Sequence, residues 1–193
     1  MSASPWKIHK FGGSSLADAS CFRRVADIIE RQPDPCVGVV VSAMRGMTDA
    51  LLRVSEMALH DDDGFNALLN ELGGRYADAA KILVDGDTLV SLLDDWGADS
   101  EVINRSLRDV AHTKTVEERT RDSIAGFGEI WSARLLAAYL KQRLGDGRGG
   151  TWIDARDVIT VSHSELGPVD NWDTVSYTHL TLPTITSGCR SRW

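Results

Sequence analysis

The hydrophobic positions of the chain change period several times, and each change marks an element. In "PWKIHKF", Trp6, Ile8 and Phe11 predict a short strand that runs into the punctuation of Gly12-Gly13. From Ser20 the period turns helical: Phe22, Val25, Ala26 and Ile29 fall on one face. Asp18 or Ser20 is placed to cap this helix, and Pro33 and Pro35 end it. "CVGVVVSA" (36–43) then reads as a continuous β-branched run, the pattern of a strand buried on both faces of a parallel sheet. Strand, helix and strand in this length predict a βαβ unit.

Beyond Ser42 a second helix is predicted, with Leu51, Val54, Ser55 and Ala58 on its buried face. Residues 64–145 read almost wholly as helix, beginning with the face of Phe65, Leu68, Leu69 and Leu72. Gly73-Gly74 predicts a kink or break there. "DGD" (85–87) and "WGADS" (96–100) read as turns. The most apolar helix, 129–144, is closed by "GDGRGG", and "TWIDA" (151–155) predicts a third strand. The fold class is α/β, with a largely helical insertion between strands.

At 193 residues the chain is long enough to bury a substantial core in one domain. Its formal charge of −7 argues against a nucleic-acid partner, which wants a basic face, but not against a small anionic substrate. No apolar run reaches the roughly 18 residues of a membrane helix. The start, "MSASPWKIHK", lacks the apolar core of a secretory signal, so a cytoplasmic protein without a membrane partner is expected. Cys21, Cys36 and Cys189 form no CxxC, which speaks for reduced thiols and against zinc or a disulfide framework. The five histidines are scattered and read as structural or surface residues. After Asp173 no acidic residue occurs, and hydroxyl side chains become dense. "VSYTHLTLPTI" there is similar to translated adapter sequence. The domain is therefore expected to cover 1–173, with 174–193 a non-native or disordered tail.

Four stretches can carry chemistry. In Lys10-Phe11-Gly12-Gly13-Ser14-Ser15, bare backbone N–H groups, a following helix N-terminus and a mobile lysine suit a phosphate. The order of lysine and glycines is not that of a Walker A loop. A Gly-Gly turn beside a solvated lysine reads equally well. Ser42 and Thr48 lie where the second strand ends, the edge that hosts ligands in open parallel sheets. Hydroxyls there suit a carboxylate, although Thr48 or Asp49 also serves as a helix cap. Arg45 nearby reads as a mobile surface residue. Glu129 opens the helix at 129–144, where an acid favours the macrodipole or faces a substrate ammonium. Gly126 and Gly128 keep its approach open, and Ser132 points the same way. Asp154, Arg156 and Asp157 read as a turn with a surface ion pair.

Taken in order, "HKFGGSSLAD", "VVVSAMRGMTDAL", "GFGEIWSARLL" and "WIDARDVI" resemble aspartokinases, especially the kinase portion of bifunctional aspartokinase–homoserine dehydrogenases. The resemblance covers about 6–173. It implies a three-layer αβα sandwich around a mainly parallel sheet, the amino-acid kinase fold, here incomplete. It also implies transfer of the γ-phosphoryl of ATP to the side-chain carboxylate of L-aspartate, with Mg²⁺. On this resemblance Lys10 stabilises the moving phosphoryl, surrounded by Gly12, Gly13 and Ser14. Ser42, Thr48 and Glu129 contact aspartate, the last through its ammonium, and no side chains form a metal site. A homo-oligomeric parent is implied, and NADP only where a dehydrogenase follows. Such a reaction needs positioning and charge neutralisation more than a general base, since a carboxylate is already a nucleophile. The family's Gly-Arg-Gly-Gly-Ser-Asp-like loop, its adenine-binding segment and its regulatory domains have no match here. The chain is therefore expected to hold the aspartate and phosphoryl half of a site and to be inactive alone. Another amino-acid kinase, such as a glutamate kinase, or a non-catalytic interaction module are the other readings.

Overall fold

The computed structural model describes residues 6–34, 36–60, 64–145 and 149–158. Strands β1 (Lys7–Phe11) and β2 (Val37–Val41) pair in parallel, in register from Lys7↔Val37 to Phe11↔Val41. A 3-10 turn, Gly13–Leu16, and helix α1 (Ala19–Glu30) make the crossover, so the predicted βαβ unit forms. Bonds beyond the strands prolong the ladder: Lys7 N–H donates to Cys36 O and Ser42 N–H to Phe11 O, both at 3.0 Å. A Lys7–Asp34 ion pair at 3.1 Å joins the entry to both strands.

Helix α1 buries Phe22, Val25 and Ala26 and packs Ile29 at the core margin, the predicted face. Asp18 is its cap. The Asp18 carboxylate accepts from the Ser20 hydroxyl at 2.6 Å and from Cys21 N–H at 2.9 Å. Those bonds, the hydroxyl's above all, lower the Asp18 pKa from 3.8 to about 2. The helix ends at Glu30, ahead of Pro33.

Helices cover one face of the sheet. Phe11 is buried there and Val39 and Val41 pack against the core, while Ile8 is 61% and Val40 52% exposed on the other face. The valine run is thus not buried on both sides as its composition predicts. Among the described residues the fold supplies a small parallel sheet and the helices on one side of it, part of the α/β layering that the sequence predicts.

Helix α2 (Met47–Leu59) buries Leu51, Val54, Ser55 and Ala58 as predicted. Helices α3 (Phe65–Leu83), α4 (Gly86–Thr113) and α5 (Glu118–Leu144) pack around it. The chain breaks between α3 and α4 at Val84 and Asp85, one residue into the turn predicted at 85–87, whose Gly86 and Asp87 already belong to α4, and two other expected interruptions are absent. Gly73-Gly74 lies within unbroken α3, and 96–100 lies within α4. One contact explains both. A Cβ on Gly73 would sit 2.2 Å from Cζ2 of Trp96, so the glycine admits an indole from α4 rather than ending α3. Fully buried Trp131 of α5 gathers Tyr76, Trp96 and Phe127, with ring centroids 6.1–6.2 Å from its own. Asp99 of α4 accepts from the Trp131 indole N–H at 3.0 Å and from Arg134 at 2.5 Å, which locks α4 to α5. Burial there pushes the Tyr76 phenol well above its ordinary range, against the opposing charge of Arg134.

The stretch 151–155, predicted as strand, has no regular secondary structure over 151–154 and enters a short helix at Ala155. Trp152 instead lies under the Arg134 guanidinium, 4.8 Å from its ring centroid. The Asp154 carboxylate accepts from Arg156 N–H at 3.0 Å and pairs with its guanidinium at 2.6 Å, opening the short helix α6 (Ala155–Val158). An aromatic anchor and a turn therefore produce the alternation read as strand, and the expected Asp154–Arg156 ion pair is present. The chain divides into two compact units, one ending at Trp152 and the other starting at Ile153. The sequence-derived boundary at 173, the stretch 174–193 and Cys189 lie outside the described residues.

Two substitutions at adjacent glycines have opposite expected outcomes. Gly73→Ala overpacks against Trp96 and lowers unfolding free energy by about 1–3 kcal/mol. Gly74→Ala, whose Cβ meets nothing within 4 Å, raises it by about 0.5–1 kcal/mol. Urea denaturation of both variants checks the pair. Because the Asp18 pKa is depressed on folding, its contribution is complete above pH 3.8 and is lost as pH falls through about 2. Asp18→Asn should flatten the stability–pH curve across that window, as read by urea melts at stepped pH.

Candidate active site

Parallel pairing brings the carboxyl ends of both strands to one edge, and the loops that leave them enclose a cleft of about 430 Å³. Gly13 and Ser14 line it from the first loop, and Ser42, Arg45, Gly46, Thr48 and Asp49 from the second. The loops are in close contact. A Cβ on Gly13 would lie 3.1 Å from Ala43 O and 3.6 Å from Arg45 Cα. From the other side α5 presses Gly128 onto the same loop, where a Cβ would lie 2.8 Å from Ala43 Cβ and 3.3 Å from Met47 Cγ. Buried Ala43 is held between two glycines that are far apart in sequence.

The second loop turns sharply. Met47 N–H donates to Met44 O at 2.9 Å, and Gly46 has φ 74° and ψ 2°. Arg45 has a negative φ, so Met44–Met47 is a type II turn, which favours glycine at its third position. Gly46 is also the N-cap of α2, without a side-chain cap bond. Neither Thr48 nor Asp49 is therefore the cap. Both stand in the first turn of α2 and line the cleft.

The other predicted site residues stand differently. Lys10 is exposed, paired with Val40 on the open side of the sheet, and is not among the cleft-lining residues. Gly12 is extended, with no atom within 4 Å of a Cβ position, so its backbone is open to approach. The helix N-terminus expected to face the glycines belongs to the 3-10 turn, since α1 starts later and carries the Asp18 carboxylate. Glu129 is half-buried in the middle of α5, about three turns from its start, so the macrodipole does not act on it. It follows Gly128, the residue that seats α5 against the second loop, but does not itself line the cleft. Ser132, expected to point with Glu129, is fully buried, and its hydroxyl has no hydrogen-bond partner among the described residues.

Two arginines escape sequence reasoning. Arg45 reads as ordinary surface yet lines the cleft. Arg75 of α3 sends Nη2 to Arg45 O at 2.9 Å, a pairing that no local pattern announces. Among the described residues no three His, Cys, Asp or Glu side chains gather in a group able to hold a metal ion. The cleft contributes one carboxylate, Asp49. These residues do not fit a protein-held Mg²⁺.

A parallel βαβ unit with a glycine-lined cleft at its carboxyl edge is the arrangement in which open α/β sheets place their ligands. The chain belongs to the amino acid kinase family, whose model matches residues 5–179. It is 33% identical over 165 residues to bifunctional aspartokinase/homoserine dehydrogenase 1, chloroplastic, of Zea mays, covering 86% of this chain and 18% of that protein. Against bifunctional aspartokinase/homoserine dehydrogenase 2 of Escherichia coli (strain K12) the identity is 30% over 168 residues, covering 85% and 19%. Against aspartokinase 3, chloroplastic, of Arabidopsis thaliana it is 35% over 141 residues, covering 70% and 24%. The chain thus spans about a fifth of the length of these relatives. The fold is similar to E. coli aspartokinase III solved with lysine and aspartate, at TM-score 0.60 and 23% identity over 70% of this chain and 29% of that one. For the same enzyme solved with aspartate and ADP the values are 0.57, 24%, 79% and 32%. The aspartokinase resemblance carried by the motifs is borne out.

The turn itself is testable. Gly46→Ala forces a side chain into the left-handed region and is expected to lower unfolding free energy by about 1–2 kcal/mol. Gly46→Asn should lose less, because asparagine tolerates that region. Thermal and urea unfolding of the two variants give the comparison.

Proposed function

We propose that this chain carries part of the site of an aspartate kinase, in which the side-chain carboxylate of L-aspartate bonds to the γ-phosphorus of ATP as the bond to the β–γ bridging oxygen breaks, yielding 4-phospho-L-aspartate and ADP. The observation that carries the reading is the convergence of Gly13 and Ser14 with Ser42 and Thr48 on one cleft at the carboxyl edge of parallel strands. Backbone N–H groups and the Ser14 hydroxyl approach the phosphoryl group, with Gly12 leaving its path open. Lys10 brings a mobile charge on a flexible stem round the strand end to the phosphoryl oxygens. Ser42 and Thr48 hydrogen-bond the aspartate, and Glu129 pairs with its ammonium.

The chemistry asks little else of the protein. The aspartate side chain is ionised near neutral pH and attacks phosphorus directly, so no side chain need remove a proton. The rate comes from in-line positioning and from donors aimed at the charge that spreads over the phosphoryl oxygens. The product is an acyl phosphate, the activated acid from which lysine, threonine and methionine synthesis starts. The reading places the protein in the cytoplasm.

Calorimetric titration of the chain with L-aspartate and with succinate tests the assignment. Succinate keeps both carboxylates and lacks the ammonium. The expected result is tighter binding of L-aspartate, a preference that Glu129→Gln removes. Lys10→Ala is expected to weaken binding of inorganic tripolyphosphate, the phosphate chain of ATP without its adenosine, about tenfold, the worth of one charged hydrogen bond. Tighter binding of L-glutamate than of L-aspartate would move the reading to a glutamate-kinase-like member. Binding of none of the three acids would sink it.

A further inference from the structure

The turn that walls the cleft is gripped from outside by a residue with no part in the proposed chemistry. We infer that Arg75 is a positioning residue. By binding the Arg45 carbonyl it fixes the peptide between Arg45 and Gly46, and with it the N–H that Gly46 presents at the cleft. The inference rests on the reading of this cleft as the substrate site.

The geometry is specific. Type I and type II turns share the same closing bond, here Met47 N–H to Met44 O at 2.9 Å, and differ by reversal of the central peptide. Glycine at the third position permits either form and favours type II, and a bond to the central carbonyl adds to that bias and holds the peptide against reversal. Arg75 Nη2 donates to that oxygen at 2.9 Å, as a charged donor and therefore one of the stronger kind. In a trans peptide the C=O and N–H point in opposite directions. Drawing Arg45 O toward α3 therefore turns Gly46 N–H away from α3, and Gly46 lines the cleft. The reversed peptide would exchange a donor for a carbonyl oxygen at the wall, where an anionic substrate needs positive potential.

Arg75 also acts from a rigid base. It is half-buried on α3, whose Leu72, Tyr76 and Ala79 are in the core. A guanidinium carried on a packed helix fixes its partner better than one carried on a loop. The arrangement couples the helical layer to the conformation of the cleft wall through one bond.

NMR of the labelled full chain tests this in wild type, Arg75→Ala and Arg75→Lys, with L-aspartate and inorganic phosphate as probes. The readouts are the amide–α-proton couplings of Gly46 and the carbonyl shift of Arg45. Arg75→Ala is expected to change both while the amide signals of α2 and α3 hold their places. It should also weaken whichever probe binds by about tenfold, the worth of a hydrogen bond from a charged donor. Arg75→Lys, which keeps a donor, should recover part of each effect. Unchanged Gly46 couplings and Arg45 carbonyl shift in Arg75→Ala would overturn the inference. If wild type binds neither probe the kinase reading fails, and the couplings still judge Arg75 by themselves. Should Arg75→Ala not fold, the same signals in Arg75→Lys and Arg75→Gln decide.

Discussion

The candidate site depends on the parallel pairing of β1 with β2. Two strands that run the same way must be joined by a crossover, and their exits then share one edge. The register from Lys7↔Val37 to Phe11↔Val41, continued by Ser42 N–H on Phe11 O, sets the two exits level. Only then does the Gly13 backbone meet Ala43 O and only then do Ser14 and Thr48 share a cleft. An antiparallel pair would have sent one loop to the far end of the sheet.

The helical layer holds that edge in place through close approaches. Gly128 lets α5 lie against Ala43 and Met47, and Gly73 lets Trp96 of α4 press into α3. Each absent side chain is occupied by a neighbour, so these glycines shape packing rather than loosen helices. Around Trp131 the layer includes an Asp99–Arg134 pair that is only 14–15% exposed. Removing two charges from water is costly, and here the indole N–H of Trp131 and the ring of Trp152 supply further partners. Arg134 Nε remains without one among the described residues, so the network is not fully satisfied. The pair joins α4 to α5 at one point of the core.

Much of this was legible from spacing. The faces of α1 and α2, the Asp18 cap, the βαβ unit and the placing of Ser14, Ser42 and Thr48 near one edge follow from periodicity and from the rule that ligands sit at strand ends. The errors have physical causes. Gly73-Gly74 and Trp96-Gly97 carry the composition of breaks, but packing across α3 and α4 outweighs a propensity cost of about 1 kcal/mol per glycine. Glu129 resembles a helix start because apolar density rises there, while α5 begins earlier in a polar stretch. "TWIDA" alternates because Trp152 and Asp154 each have a partner, not because a neighbouring strand pairs with them.

By itself, the sequence determined what depends on neighbours along the chain: which faces are apolar, where a helix is capped, and that a lysine near the end of the first strand is followed by bare backbone. Those features need only contacts within a few residues. The tertiary structure decided which glycines are spaces for another element, which face of the sheet stays open, and how the cleft wall is held. Arg75 and Arg45 lie 30 residues apart, and Gly128 meets Ala43 from a different helix. No period of 2 or 3.6 encodes such meetings. They exist only once α3 and α5 have packed on α2. The "KFGGSS" stretch offers bare backbone at a strand exit, and the packed helices hold the loop that faces it.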